Sequence, residues 1–192
     1  MAISGQKERK GQYTGELGKR LRKEIEARTD GKLRVHFDHA GSESEKTVAH
    51  LGERSSRVNA LSYIDIAVVE EGSDEAACKE HPRVLLLCEI EEEGARPKKI
   101  IGNICNILLA DGVQISRRHY ALEKTWLVIG VRTKKRGKSE DKTKEIIARV
   151  QGRMKAGLIS RIIGVYADTH KDLMDAVEKE ILEAVSSNRN MG

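Results

Sequence analysis

The fold of this chain depends on residues 84–93, which read Val84-Leu85-Leu86-Leu87-Cys88-Glu89-Ile90-Glu91-Glu92-Glu93. The five apolar residues at the start predict a fully buried strand, and acid follows at once as Glu89-x-Glu91. Because side chains two apart on a strand point to the same face, both carboxylates should project together from the end of a buried element. Carboxylates placed there repel each other and lose solvation unless a cation compensates them.

A second apolar segment, residues 63–69 (YIDIAVV), carries the single acid Asp65. If the two segments pair as strands, Asp65 converges with Glu89 and Glu91. Three oxygen donors with little nitrogen or sulfur nearby favour a hard divalent ion such as Mg²⁺. The alternative is an ordinary acidic strand end that emerges into solvent, for which Glu92-Glu93-Gly94 is typical.

Composition favours a polyanionic partner and a reducing compartment. The 192-residue chain has a net charge of +5 and only 3% aromatic residues, so contacts to phosphate should dominate over base stacking in any nucleic-acid complex. The three cysteines lack zinc-site spacing, and their odd number argues against a disulfide framework. No apolar run approaches the roughly 20 residues that span a bilayer, and the N-terminus lacks a signal-peptide core. We therefore expect a cytoplasmic protein without a membrane partner.

Hydrophobic periodicity predicts an α/β fold in which helices sandwich a mixed β-sheet. The predicted order is helix, strand, strand, strand, helix, strand, helix, strand, helix. Helices are expected over about 14–28, from Pro97 to Gly112, after Ser139 and after the capping box Thr169-x-x-Asp172. Strands are expected near 33–37, 61–70, 83–91, 126–131 and 162–166, and a short helix near 45–51.

This order, with an acid in the second strand and acid-x-acid at the end of the third, resembles the PD-(D/E)xK nuclease superfamily, whose core is helix, three strands, helix and strand. The resemblance covers roughly residues 14–132. Asp65 corresponds to the Asp of the family motif, although Ile64 replaces its Pro, and Glu89-Ile90-Glu91 corresponds to (D/E)xK, with Glu91 where Lys is usual.

The resemblance implies a restriction-endonuclease-like core in a single domain covering residues 1–192. Residues 1–12 would form a loose basic arm, 13–132 the nuclease-like core and 133–192 a C-terminal αβα extension. Arg9-Lys10-Gly11 followed by Glu16 is similar to the start of archaeal Holliday junction resolvases. That similarity makes Glu16 the preferred fourth carboxylate, with Glu24 as its substitute; the alternative for both is a surface glutamate.

The implied activity is Mg²⁺-dependent DNA endonuclease chemistry, with Mn²⁺ as a substitute ion and with Asp65, Glu89 and Glu91 as metal ligands. The missing lysine leaves three alternatives. Glu91 acts as general base or further ligand, Lys98 or Lys99 reaches back from the next helix, or the fold persists without catalysis. The last alternative is a non-catalytic nucleic-acid-binding or assembly protein, and a small-molecule-binding α/β protein is a third class.

A basic loop, residues 132–139 (RTKKRGKS), precedes the third predicted helix. It ends in Gly-Lys-Ser, but a phosphate-binding P-loop requires Gly where Arg132 stands. A phosphate-contacting loop at a helix N-terminus is the functional interpretation, and a solvated basic turn is the alternative. Double-stranded or branched DNA is the expected partner, and a homodimer is expected because cutting both strands usually requires two active sites. The predicted nucleic-acid contacts are Lys98, Lys99, Lys134, Lys135, Arg136 and Lys138.

Overall fold

A computed structural model describes residues 11–39, 41, 45–53, 56–71, 82–94, 96–133, 138–152, 154 and 157–189. Its four helices and eight strands are, in chain order, α1 (Gln12–Arg28), β1 (Leu33–Phe37), β2 (Thr47–His50), β3 (Ala60–Ile64), β4 (Ile66–Glu70), β5 (Arg83–Glu91), α2 (Pro97–Leu109), β6 (Gly112–Ile115), β7 (Arg118–Arg132), α3 (Lys138–Gln151), β8 (Ile159–Ala167) and α4 (His170–Arg189).

The strands form one open, mixed sheet in the order β1-β4-β5-β7-β6-β2-β3, with β8 beside β7. Strands β5, β7 and β8 run parallel, and the remaining pairs are antiparallel. The long strand β7 serves two neighbours on the same side, because its first residues pair with β6 and its later residues pair with β8. The carboxyl ends of β5 and β7 therefore lie side by side.

Helices cover both faces of the sheet and enclose two apolar cores. On one face, Leu17, Leu21 and Ile25 of α1 pack with the buried side of α4 against β1, β4 and β5. On the other face, α2 and α3 pack against the opposite sides of the same central strands, with Ile104 and Ile147 among the buried residues. The four-residue spacing of the apolar positions explains why each helix has one buried stripe. The predicted α/β fold with a mixed sheet between helices is confirmed.

The four predicted helices are confirmed, and the capping box of α4 is formed, since the Thr169 hydroxyl accepts a hydrogen bond from the Asp172 N–H at 3.1 Å. The short helix predicted near 45–51 is wrong. These residues contain β2, in which Thr47 and Ala49 are fully buried between β3 and β6. The sequence suggested a helix because Val48 and Leu51 are three residues apart, a spacing that also fits one face of a helix.

The single strand predicted near 61–70 is two strands that end and begin around Asp65. Its first half, β3, pairs with β2, whereas its second half, β4, pairs with β1 and β5. The predicted pairing with the acidic strand is confirmed for the second half, where Ile66 lies opposite Cys88. Gly112 begins β6 rather than closing α2, and the strand predicted at 126–131 is the end of the longer β7.

Parts of the predicted arm and basic loop, residues 1–10 and 134–137, lie outside the described residues. Gln12, assigned to the arm, is the first residue of α1. None of the described helices is long and apolar enough to cross a membrane.

Candidate functional site

A cavity of about 640 Å³ opens where β5 and β7 end. This is the edge of an open α/β sheet at which ligands usually bind. Its wall is strongly acidic, since five carboxylates contribute to it: Asp65, Glu89, Glu91, Glu92 and Glu93. The three acids that the sequence singles out are thus brought to one cavity.

Asp65 occupies the corner between β3 and β4, where its backbone carbonyl accepts a hydrogen bond from the Asp38 N–H at 3.0 Å. Its side chain crosses to β5, because Oδ2 accepts the N–H of Ile90 at 2.7 Å. Asp65 is therefore fixed beside the Glu89-Ile90-Glu91 segment by a bond to the backbone of that segment. The corner that divides the predicted strand is what directs this carboxylate into the cavity.

Glu89 is buried, with 8% of its surface exposed. Its Oε2 accepts a hydrogen bond from Nδ2 of Asn103 on α2 at 2.9 Å, whereas Oε1 has no hydrogen-bond partner among the described residues. Burial, and then the nearby charge of Asp65, raise the pKa of Glu89 well above its usual value. The site thus contains an acid whose charged form lacks a cation close enough to stabilise it fully.

Glu91 is the second buried carboxylate of β5, and it has a cationic partner. Nζ of Lys99, in the first turn of α2, lies 2.6 Å from Oε2 of Glu91, whose side chain is 6% exposed. Lys99 also lines the cavity, whereas Lys98 is exposed and does not. Of the two lysines named from the sequence, Lys99 is the one that reaches back to the acidic strand.

His39 lines the cavity on the other side of Asp65, with Nε2 at 3.5 Å from Oδ1. Its hydrogen bonding to Asp65 raises the pKa of His39 above the ordinary value of an imidazole. Gly11 packs against this imidazole so closely that a Cβ atom at Gly11 would lie 2.4 Å from Cγ of His39. Sequence analysis missed His39, since no pattern around it distinguishes it from an exposed loop histidine.

Glu92, rather than the expected Glu16, is the carboxylate that meets α1 at the cavity. Its Oε1 accepts hydrogen bonds from the N–H of Thr14 at 3.0 Å and from the Thr14 hydroxyl at 2.5 Å, so it caps the first turn of α1. Of the predicted solvent exit Glu92-Glu93-Gly94, Glu93 is exposed, whereas Glu92 is half-buried against α1. Glu16 is exposed, bonds to Gln12 and does not line the cavity, and Glu24 pairs with Arg28 on the same helix.

The cavity is also lined by a cationic and aromatic group, which consists of Tyr13, Arg132 and His170. The rings of Tyr13 and His170 are stacked, with centroids 4.3 Å apart and planes 10° from parallel. Nη1 of Arg132 lies 2.8 Å from Nε2 of His170. These three residues come from α1, β7 and α4, which explains why no local pattern in the sequence indicates that they meet.

The carboxylates can be tested for their fit to a metal ion. Among the described residues, no three His, Cys, Asp or Glu side chains form a ready metal-binding group. Mg²⁺ commonly needs only one or two carboxylates, because water and substrate phosphate supply the remaining ligands. Asp65 and Oε1 of Glu89, which lacks a hydrogen-bond partner in the described part of the chain, fit that smaller requirement. A cation beside them would offset the burial and the Asp65 charge that raise the pKa of Glu89.

The predicted basic-loop contacts Lys134, Lys135 and Arg136 lie outside the described residues, as does the side chain of Lys138, the first residue of α3.

In comparisons with known proteins, no family model matches the chain, and no curated protein or solved structure shows significant similarity to it.

Proposed function

We propose that the protein is a metal-dependent phosphodiesterase and, more particularly, a Mg²⁺-dependent DNA endonuclease of the PD-(D/E)xK type. The observation that carries the proposal is the meeting of Asp65 and Glu89 with the ammonium of Lys99 at one end of the sheet. These are the two acids and the cation of the motif, with the cation supplied from α2 instead of position 91.

The chain order in the central part of the sheet supports the same class. Along α1, β1, β4, β5, α2 and β7, the elements follow the order helix, three strands, helix and strand. Strands β2, β3 and β6 are additions to this order. Glu89 and Glu91 stand at the end of the third of these strands, and Asp65 stands immediately before the second rather than within it. This arrangement is close to the one that the resemblance implies.

Asp65 and Glu89 would hold Mg²⁺ or Mn²⁺, which supplies charge stabilisation at the phosphoryl oxygen and a more acidic bound water. Lys99 contributes a positive charge beside the acids, where the negative charge of a phosphoryl transition state develops. Glu91 positions that ammonium through the 2.6 Å ion pair. Asn103 orients the Glu89 carboxylate through its amide hydrogen bond.

The direct test is cleavage of supercoiled plasmid and of a four-way DNA junction with Mg²⁺, Mn²⁺ or EDTA. Asp65→Asn keeps an oxygen that can accept the Ile90 N–H, so it removes the charge while preserving the corner. Glu93→Gln is a matched control, because Glu93 is an exposed acid of the same cavity that pairs with Arg96. We expect Asp65→Asn to lose at least about 100-fold in cleavage rate and the control to retain activity. Full activity in Asp65→Asn would rule out this site.

A second candidate is a non-catalytic DNA-binding protein with the same fold. Burial of Glu89 favours it, because a protonated carboxyl is a poor metal ligand. This candidate predicts DNA binding in EDTA and no cleavage with either ion. Titration of Mn²⁺ into the wild-type protein and Asp65→Asn by calorimetry separates the two candidates independently of the DNA chosen.

A further inference from the structure

Arg132, the last residue of β7, lines the cavity. No described carboxylate forms an ion pair with it, and its Nε is buried without a hydrogen-bond partner among the residues that the structure describes. The hydrogen bonds that its Nη1 makes go to His170, which carries no negative charge. A half-buried guanidinium in this condition is costly for the folded protein, and an anion entering the cavity would remove the cost.

The guanidinium is held in a fixed place. His170 accepts from Nη1, and the stacked ring of Tyr13 supports His170 from behind. The next residue along the strand, Thr133, is buried and bonds to Asp168 through its hydroxyl at 2.5 Å. Because the side chain is already ordered, an anion that binds it loses less free energy to immobilisation than at a flexible surface arginine.

Strand register sets the position of Arg132 relative to the acids. Glu91 pairs with Val131, so Arg132 lies one residue beyond, on the neighbouring strand. Side chains alternate along a strand, and Arg132 accordingly projects towards α1 and α4, whereas Glu91 projects towards α2. A ligand that spans this end of the sheet would meet Glu89 and Glu91 of β5 on one face and the guanidinium of Arg132 on the other.

We propose that Arg132 binds a phosphodiester group of a nucleic-acid strand, adjacent to the phosphate that lies at Asp65 and Glu89. The proposal rests on the proposed function and adds to it a substrate contact. Arginine suits this ligand because its planar fork donates two parallel hydrogen bonds to phosphate oxygens. Tyr13 and His170 are positioning residues, which act through Arg132.

The test measures binding of a fluorescent 20-base-pair duplex in EDTA and in Ca²⁺, so that it does not depend on cleavage. Arg132→Gln is compared with Arg117→Gln, an exposed arginine in the turn before the opposite end of β7. We expect Arg132→Gln to lose about tenfold or more in affinity for the duplex. The slope of log affinity against log salt concentration should become shallower by about one, which corresponds to the loss of one phosphate contact. We expect Arg117→Gln to stay within about twofold of the wild type. Equal affinities for Arg132→Gln and the wild type would overturn the proposal.

A measurement on the unmodified sequence covers the case in which Arg132→Gln does not fold. Phenylglyoxal labelling followed by peptide mass spectrometry should show Arg132 protected by saturating duplex and Arg117 labelled to the same extent with and without DNA. Unchanged labelling of Arg132 would overturn the proposal. If the wild-type protein binds DNA through Arg132 but does not cleave it with Mg²⁺ or Mn²⁺, the proposed endonuclease activity is wrong and the proposed role of Arg132 stands.

The positioning role of His170 has its own readout. His170→Gln retains an acceptor for Nη1 of Arg132, whereas His170→Leu fills similar space without one. We expect the Gln variant to keep most of the DNA affinity and the Leu variant to lose several-fold. Equal affinities in the two variants would overturn the positioning role.

Discussion

Nζ of Lys99 and Oε2 of Glu91 lie 2.6 Å apart, although the lysine belongs to the first turn of α2 and the glutamate to the last residue of β5. The ammonium therefore occupies the neighbourhood in which a lysine at position 91 would end. In the proposed site the cation therefore comes from a helix and its carboxylate partner from a strand. This relationship makes Lys99 the decisive residue for the proposed chemistry.

Replacing Lys99 by Met should lower the DNA cleavage rate by about 100-fold or more, because a cation is lost where transition-state charge develops. It should also lower the free energy of unfolding by about 1–3 kcal/mol, since Glu91 remains buried without its partner and Lys99 itself is half exposed. Single-turnover cleavage and thermal unfolding measure the two effects. Lys98→Met is the matched control and should change neither; equal losses in both variants would contradict the assignment.

Glu89→Gln should separate stability from activity. The raised pKa means that the folded protein holds the Glu89 proton more tightly than the unfolded chain, so ionisation of Glu89 destabilises the fold increasingly as pH rises above the ordinary carboxyl range. Without divalent ions, Glu89→Gln should therefore be more stable than the wild type at pH 8 by about 1–2 kcal/mol, with a higher melting temperature. The difference should shrink towards pH 5, while cleavage is lost at every pH. A pH-independent difference would show that Glu89 is not the titrating group.

Gly11→Ala tests the contact between the start of α1 and His39. Gly11 has φ +76° and no room for a Cβ, whereas Gly31 has a similar φ of +71° and nothing within 4 Å. Gly31→Ala should cost only the strain of the left-handed backbone, about 1–2 kcal/mol. Gly11→Ala should cost at least about 1 kcal/mol more in chemical denaturation, since the imidazole must move as well. If the two variants are equally stable, the close packing on His39 is absent in solution.

Glu92→Gln and Glu16→Gln compare the carboxylate found at the helix start with the one expected from the resemblance. Glu92 accepts two hydrogen bonds from Thr14, so its substitution should cost about 0.5–2 kcal/mol in unfolding free energy. Glu16 is exposed, and its substitution should stay within about 0.5 kcal/mol of the wild type with unchanged cleavage. Loss of cleavage in Glu16→Gln alone would restore it as the fourth carboxylate.

Local patterns predicted those parts of the fold in which one strand or helix has an uninterrupted apolar period. The apolar run before Glu89 and the stripe Leu17, Leu21 and Ile25 are examples, and both belong to buried elements. The bend at Asp65 could not be predicted in this way, because it interrupts one apolar segment without a Gly or Pro to mark it. The hydrogen bonds that hold this bend join Asp65 to the N–H groups of Asp38 and Ile90, which are both far from it in the sequence.

The acids of the candidate site were predictable because Glu89 and Glu91 share one strand and Asp65 immediately precedes the strand paired with it. Glu92 was not, since its partner Thr14 is 78 residues away and its sequence neighbours are typical of a loop. The same holds for Arg132, whose partner His170 is 38 residues further along the chain. Contacts of this kind depend on the packing of whole helices, which a local period does not encode.

The stacking of Tyr13 on His170 joins the first helix to the last, and Arg20 reinforces the join through an ion pair with Glu178 at 2.7 Å. One wall of the cavity therefore consists of segments that are far apart in the order of synthesis. A nascent chain in which α4 is still inside the ribosome has Asp65, Glu89 and Lys99 but no support for Arg132. The cavity is consequently complete only after α4 has left the ribosome and packed against α1.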